Sequence, residues 1–440
     1  MRRRPALDVR RGTERALLVG LDLGQGEEGA EESLEELARL CATAGVEVVD
    51  RLRQRRRRPD VRTFVGAGKL EEIRRRVEDL GVDVVVFDDP LSAAQQRNLE
   101  RAIGIGPGGE PRVKVLDRSQ VILDIFAQRA RRTEAKLQVE LAQIDYLLPR
   151  LTRHWTHLSR QRGGGVGTRG PGETQLEVDR RRLRDRAAAL RRRLREVART
   201  RELHRRERAA VPFPTIALVG YTNAGKSTLM ARLTGADVLV DDRLFATLDP
   251  TVRRLRLPRT GTVLLTDTVG FIHKLPHSLI EAFKSTLEEV RRADLLLHVA
   301  DASTPSREAQ AAVVRRVLAE IGAADRPCQL VWNKADRIGA DERAALEREA
   351  ARSGAVVISA RTREGLPALR AALDEALAPQ RRAVELRIPH ARRDLLARLH
   401  RDGVVLESRE GEGETLIRAL VSPKLAGQIE KALAGGPEPC

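Results

Sequence analysis

An apolar run, Thr215–Val219, leads into Gly220-Tyr221-Thr222-Asn223-Ala224-Gly225-Lys226-Ser227, and helical periodicity resumes over Ser227–Leu233. The loop has the spacing GxxxxGK[ST] and sits between a strand and a helix, the context that gives the pattern its meaning. Its glycines let successive backbone N–H groups wrap a chain of phosphates, and the helix that starts there adds positive potential. On this chemistry Lys226 reaches the β- and γ-phosphates and Ser227, followed by Thr228, holds Mg²⁺. The fold class expected is α/β: a doubly wound sheet with its ligand at the carboxyl ends of the strands.

Three further motifs follow in order, each at the end of an apolar run. Leu264-Leu265-Thr266-Asp267 continues into Thr268-Val269-Gly270, which offers an aspartate for Mg²⁺ through water and a backbone N–H for the γ-phosphate. Gln329–Trp332 ends in Asn333-Lys334-Ala335-Asp336. A carboxylate at Asp336 can accept from guanine N1–H and the exocyclic amine, a pair of donors that adenine lacks, so the ligand read from the sequence is GTP or GDP. Lys334 would lie along the base, and Ser359-Ala360, after Ala355–Ile358, would bring a backbone N–H to guanine O6. Between loop and Asp267, the segment Phe245–Thr251 should give Mg²⁺ a threonine: Thr247 is the choice and Thr251 the competitor. The catalytic set is then Lys226, Thr247 and Gly270. Where many GTPases place a water-orienting glutamine, this chain has Phe271, so hydrolysis is expected to be slow until a partner or cation supplies the missing group.

The rest of the chain must be divided among further domains, because 440 residues exceed one ordinary domain. Apolar residues make up 41% and charged residues 32%, which excludes wholesale disorder. Cys41, Cys328 and Cys440 are far apart and without ligand spacing, so neither a disulfide framework nor a cysteine-rich zinc module is expected. No stretch approaches the roughly 18 apolar residues of a membrane span, and the arginine-rich start lacks the apolar core of a secretory signal. The expectation is a soluble, cytoplasmic protein, taken as a monomer.

The net charge is +17. Residues 150–210 hold 19 arginines against 7 acids, a net of +12, whereas residues 212–380 are nearly balanced, with 23 basic and 21 acidic residues. The basic segment coincides with two apolar stripes at helical spacing, one through Leu137, Leu141, Ile144, Leu148 and Leu151, the other through Leu176, Leu183, Leu190 and Val197. Such stripes pair as an antiparallel hairpin. Its loop carries Gly163, Gly164 and Gly165, flanked by Arg160, Arg162 and Arg169. Bare backbone beside guanidinium groups can approach nucleic-acid phosphates closely, so these six residues are the candidate RNA contact.

The domains expected are residues 13–130, a small α/β domain; 131–210, the helical hairpin; 212–380, the GTPase domain; and 381–440, a βαββα tail. In the first, Gly66-Ala67-Gly68-Lys69 looks like a fragment of a phosphate loop, but Leu70 stands where a hydroxyl is needed, so it is read as the start of a helix.

This order of parts, with the loop Gly163–Glu177, GYTNAGKST, LFATLDPT, DTVGFI and NKAD, resembles the HflX-type GTPases over nearly the whole chain. The resemblance implies a GTP-hydrolysing factor that binds the large ribosomal subunit and its rRNA and splits stalled or idle ribosomes, the hairpin loop approaching the peptidyl-transferase region. In related GTPases an asparagine in the place of Asn223 helps bind K⁺ across the phosphates, so stimulation by potassium is expected. The N-terminal domain of the family is also described as binding adenine nucleotides and unwinding RNA, although no motif here assigns residues to that. Two other readings stand beside this one: an RNA-binding protein that uses GTP only as an uncoupled ligand, and an RNA helicase or RNA-modifying accessory enzyme.

Overall fold

The computed structural model describes residues 13–24, 26–104, 112–151, 175–208, 213–235, 244–245, 251–274, 284–378 and 382–434. Contacts divide the chain into two units, Met1–Arg195 with Lys274–Ala282, and Glu196–His273 with Phe283–Cys440.

In the first unit, strands β1 (Arg15–Asp22), β2 (Glu47–Arg55), β3 (Val84–Phe87) and β4 (Lys114–Asp117) form a parallel sheet in the order β2-β1-β3-β4. Helices α1 (Gly26–Ala44), α2 (Ala67–Leu80) and α3 (Ala93–Ile103) alternate with the strands, as parallel pairing requires of its crossovers. Ser92 caps α3 with a capping box to Gln95, and Gly66 is the residue that precedes α2, so the phosphate-loop-like string there is a helix start. The core lies between sheet and helices, through Leu17, Val19, Val85, Phe87, Ile73 and Leu99.

Helix α4 (Arg118–Arg129) then brings Arg118 fully inside. Its guanidinium donates to Asp88 at 2.5 Å, to Glu36 at 2.6 Å and to the carbonyl of Ser33 at 2.8 Å. Lys274 sets its ammonium 2.5 Å from Asp88 and 2.6 Å from Asp89. Burial opposes ionisation of Asp88, but Arg118 and Lys274 overcome it and hold the carboxyl below its ordinary range.

Helices α5 (Thr133–Leu147) and α6 (Gln175–Arg208) carry the two stripes. Leu137 and Ile144 bury against Ala187 and Leu190, with Leu141, Leu148, Leu183 and Leu194 partly buried around them. Charge reinforces the seam, since Arg186 makes a two-pronged bond with Glu140 and Arg191 pairs with Asp145. Pro149 does not kink α5; the helix ends at Leu147 and tightens into a single 3₁₀ turn, Leu148–Arg150. The guanidinium of Arg150 lies 3.6 Å over the ring of Tyr146. Arg160, Arg162, Gly163, Gly164, Gly165 and Arg169 lie outside the described residues.

The second unit is built on a six-stranded sheet in the order β10-β9-β8-β5-β7-β6. Its strands are β5 (Thr215–Val219), β6 (Thr251–Leu257), β7 (Gly261–Asp267), β8 (Leu295–Asp301), β9 (Cys328–Asn333) and β10 (Val356–Val357). All neighbours are parallel except β6, which returns antiparallel on β7. Helices α7 (Lys226–Thr234), α8 (Lys284–Arg292), α9 (Arg307–Glu320), α10 (Ala340–Ser353) and α11 (Leu366–Leu377) connect the strands. The central strands are buried on both faces, which is why Ile216, Leu218, Leu297 and Val299 read as continuous apolar runs rather than as alternation. The tail adds β11 (Arg382–Pro389), α12 (Arg393–Asp402), β12 (Val404–Glu410), β13 (Glu414–Val421) and α13 (Pro423–Ala434), with an antiparallel sheet ordered β11-β13-β12.

Candidate nucleotide-binding site

Strand β5 delivers its chain to the loop at Gly220, whose φ of 152° leaves no room for a side chain: a Cβ would lie 2.1 Å from the carbonyl oxygen of Val299. Gly225, at φ 93°, turns the chain into α7. A Cβ there would stand 2.3 Å from Nδ2 of Asn333. Glycine is therefore needed at both ends of the loop for steric reasons.

Lys226 is buried, and its ammonium donates to the carbonyls of Gly220 at 3.0 Å and Tyr221 at 2.8 Å. Burial pulls its pKa down to about 8, with Asp267 opposing and Lys334 adding to the fall. Such an ammonium gains from an approaching phosphate more than a solvated one would. Ser227 donates its hydroxyl to Asp267 at 2.7 Å. Hydroxyl and carboxylate together make an all-oxygen donor set with the hardness that Mg²⁺ prefers, so these two residues fit the ion the motif implies. Thr222 carries a buried hydroxyl without a hydrogen-bond partner among the described residues.

The segment after Asp267 is tied to the loop by backbone. Thr268 donates its hydroxyl to the carbonyl of Leu218 at 2.6 Å. Thr222 N donates to the carbonyl of Phe271 at 2.7 Å and Phe271 N to that of Gly220 at 3.1 Å, a bridge that runs Tyr221 alongside Phe271. The hydroxyl of Tyr221 accepts from His273 N at 2.7 Å. At Gly270 a Cβ would come within 2.9 Å of both Lys226 Nζ and Thr222 Cα. Phe271 itself is buried, 2% exposed. It serves as an anchor of the Gly270 turn, which explains an apolar residue in that place.

The segments Asn333–Asp336 and Ser359-Ala360 close the other side. Asn333, 2% exposed, donates from Nδ2 to the carbonyl of Ala224 at 2.8 Å and accepts at Oδ1 from Ala360 N at 2.9 Å. One side chain thus fastens the phosphate loop to the Ser359-Ala360 loop. Lys334, at φ 67°, pairs with Asp301 at 2.6 Å. Asp336 accepts from the hydroxyl of Ser359 at 2.6 Å, which orients its carboxylate. The structure brings together Gly220–Ser227, Asp267–Gly270, Asn333, Lys334, Asp336, Ser359 and Ala360. Thr247 lies outside the described residues, and Thr251 opens β6, half-buried. Sequence reading missed Asp301 as a support, and placed Tyr221 in the loop without its bond to His273. Asp301 was within reach, since it too ends an apolar strand, Leu295–Asp301.

Family models match three consecutive stretches: a GTP-binding GTPase N-terminal region over residues 31–127, a GTP-binding GTPase middle region over 129–208 and a 50S ribosome-binding GTPase over 215–334. Similar curated proteins include the GTPase HflX of Caldanaerobacter subterraneus, 45% identical over 425 residues, 96% of this chain and 94% of that one. The GTPase HflX of Escherichia coli K12 is 47% identical over 376 residues, 86% of each chain. Among solved structures, a GTP-binding protein from Sulfolobus solfataricus in complex with GDP is 23% identical, with a TM-score of 0.42 over 83% of this chain and 99% of that one. At relatedness of 42–49% to curated members, and with the guanine-nucleotide motifs folded around one loop, the chain belongs to the HflX family of GTPases and hydrolyses GTP.

Proposed function

We propose that this GTPase is a nucleotide-switched factor that associates with the large ribosomal subunit and its rRNA and splits or rescues stalled ribosomes. What carries the reading is the conjunction of a GTPase domain whose matching model is described as 50S ribosome-binding with an arm that holds +12 of the chain's +17 charge. Along α6, Arg186 and Arg191 are spent on α5, whereas Arg184, Arg192, Arg193 and Arg195 are exposed and make no ion pair among the described residues. Such guanidinium groups gain by releasing counterions from phosphates.

In this reading Gly220–Thr228 cradle the phosphates, and Lys226 takes its ammonium from loop carbonyls to the β- and γ-oxygens. Ser227 and Thr247 would hold Mg²⁺, with Asp267 supporting it, and the ion would supply charge neutralisation at the phosphates. The Gly270 N–H meets the γ-phosphate, with Thr268 and Val269 in the same turn. Asp336 reads guanine, Lys334 flanks the base and Ala360 N–H reaches O6. Asn223, held at φ 61°, would help to hold K⁺. Because Phe271 is buried as an anchor, water must be oriented by a group the ribosome or the cation brings, so basal turnover is slow.

The test is GTP turnover with and without purified large subunits, in potassium and in sodium. Turnover should rise with large subunits, and more so in potassium. Turnover that stays basal with large subunits present removes the coupled switch and leaves GTP as an uncoupled ligand.

A further inference from the structure

A further strongly basic segment lies in the first unit, at the end of edge strand β2 and directly after it. Residues 55–66 read Arg55-Arg56-Arg57-Arg58-Pro59-Asp60-Val61-Arg62-Thr63-Phe64-Val65-Gly66, five arginines against one acid. That one acid is turned inward. Asp60 accepts from the backbone N–H of Arg62 at 2.9 Å and of Thr63 at 3.1 Å, and from the Thr63 hydroxyl at 3.2 Å. Those backbone N–H groups hold its carboxyl below its ordinary range.

The turn is fixed from several sides. Asp60 and Phe64 exchange both backbone hydrogen bonds, at 2.9 and 3.0 Å. Helix α3 pins two of its carbonyls, Gln95 reaching that of Asp60 at 2.9 Å and Asn98 that of Arg62 at 2.9 Å. Phe64 sits at φ 66°, is 4% exposed, and meets Phe87 edge-on with ring centroids 5.9 Å apart. A non-glycine residue in the left-handed region costs of order 1 kcal/mol or more and persists only where its surroundings over-determine it.

All this order presents very little to the rest of the molecule. Val61 is 88% exposed, the most exposed large apolar side chain among the described residues. Arg57, Arg58 and Arg62 are exposed beside it and have no carboxylate within ion-pair distance among the described residues. Some exposed arginines elsewhere are matched, as Arg292 is by Glu288, and others, such as Arg184 and Arg192 on α6, have no such match among the described residues; what sets these three apart is the fixed turn that carries them. Composition bias toward arginine accounts for their number but not for a pinned turn that leaves three of them unmatched around one small apolar tip.

We infer that this turn is an RNA contact separate from the helical arm, in which Arg57, Arg58 and Arg62 seat on phosphates and Val61 packs on the sugar or base between them. The surface offers donors only, in the forked geometry that suits phosphate oxygens. It lacks the large aromatic or aliphatic anchors around which protein interfaces are centred. A turn already rigid loses little entropy on binding. The inference rests on the reading that this chain works on RNA, and it adds a second anchoring point to that reading.

The experiment uses the full chain and two probes, intact large ribosomal subunits and protein-free RNA extracted from them. Affinity is measured against salt for the wild type, for the triple variant Arg57→Gln, Arg58→Gln, Arg62→Gln, and for the triple lysine variant. Each phosphate contact contributes about 0.7–0.9 to the log–log salt slope. The glutamine variant should therefore lose about 2–3 from the slope on protein-free RNA, while the lysine variant keeps it and the GDP affinity of both stays that of the wild type. An unchanged slope in the glutamine variant, with a wild type that binds, overturns the role of the turn and leaves the proposed function standing. Loss confined to intact subunits, with protein-free RNA bound as before, means an acidic protein surface is the partner and overturns the RNA contact. A wild type that binds neither probe overturns both readings.

Discussion

Asn333 is the side chain on which the geometry of the nucleotide site turns, and Asn333→Ala is the perturbation that isolates it. The residue is 2% exposed and makes two hydrogen bonds, 2.8 Å to the carbonyl of Ala224 and 2.9 Å from the N–H of Ala360. Both partners are themselves buried, Ala224 at 1% and Ala360 at 2% exposure. Truncation strands one buried acceptor and one buried donor, each worth about 1–3 kcal/mol once deprived of water and partner. The two together have a central value of about 4 kcal/mol, which lowers the melting temperature of a unit of this size by about 8–16 °C. The assay is thermal unfolding of nucleotide-free protein followed by circular dichroism, because bound nucleotide would itself stabilise and mask the loss. Affinity for fluorescent GDP should fall at least tenfold, since the phosphate loop and the Ser359-Ala360 loop lose their common fastening. Asn333→Asp sharpens the test. It keeps an acceptor for Ala360 but sets a carboxylate oxygen against the Ala224 carbonyl, so it should be no better than alanine. A melting shift under about 1 °C with GDP affinity intact would refute the reasoning, because it would mean the two loops are held by other bonds.

The remaining expectations concern base selection, a buried ion cluster and pH. On the proposed reading Asp336 would accept two guanine donors, and Asp336→Asn exchanges that carboxylate for an amide, at about 1.5–3 kcal/mol for each charged bond; GTP affinity should fall a hundredfold or more and preference move toward xanthine nucleotide, and unchanged guanine selectivity in a competition assay would contradict its role. Arg118→Met leaves Asp88 and Glu36 buried without their shared cation, and removing one member of such a group costs about 3–5 kcal/mol; a denaturant midpoint equal to that of the wild type would show the cluster is not cohesive. His298 is 4% exposed with Nε2 unpartnered among the described residues, and burial, with Arg315 and Lys226 adding to it, pulls its pKa from 6.5 to about 4. The folded chain refuses a proton that the unfolded chain takes up, so this stability is complete above pH 6.5 and drains away as pH falls toward 4, by about 3 kcal/mol at most. His298→Leu should lack that part of the acid slope, and parallel stability curves for the two proteins would rule it out.

What the sequence disclosed depended on whether a residue's role was local. Gly220, Gly225, Lys226 and Ser227 could be read because loop, strand and helix are contiguous. The hairpin could be read because Leu137, Ile144, Ala187 and Leu190 keep helical period on both sides of the seam. Only Val46–Val49 reads as an apolar run in the sequence, whereas β2 extends over Glu47–Arg55. Its later residues, Asp50-Arg51-Leu52-Arg53-Gln54-Arg55, carry charge because β2 is an edge strand, and only pairing with β1 reveals them as strand. Helix α4 was not anticipated at all: its first residue is an arginine, and an arginine that is fully buried can be recognised only once Asp88 and Glu36 are seen beside it. Phe271 was read for what its side chain cannot do with water. Its positive role, a backbone bridge to Tyr221, lies in groups that every residue possesses and so leaves no trace in the sequence.

The most direct test of the account is co-sedimentation of the full chain with separated ribosomal subunits, in GDP and in a non-hydrolysable GTP analogue. The account predicts that the chain pellets with large subunits, more strongly with the analogue than with GDP, and that high salt weakens the association. A chain that stays in the supernatant with large subunits, whichever nucleotide is present, would contradict it.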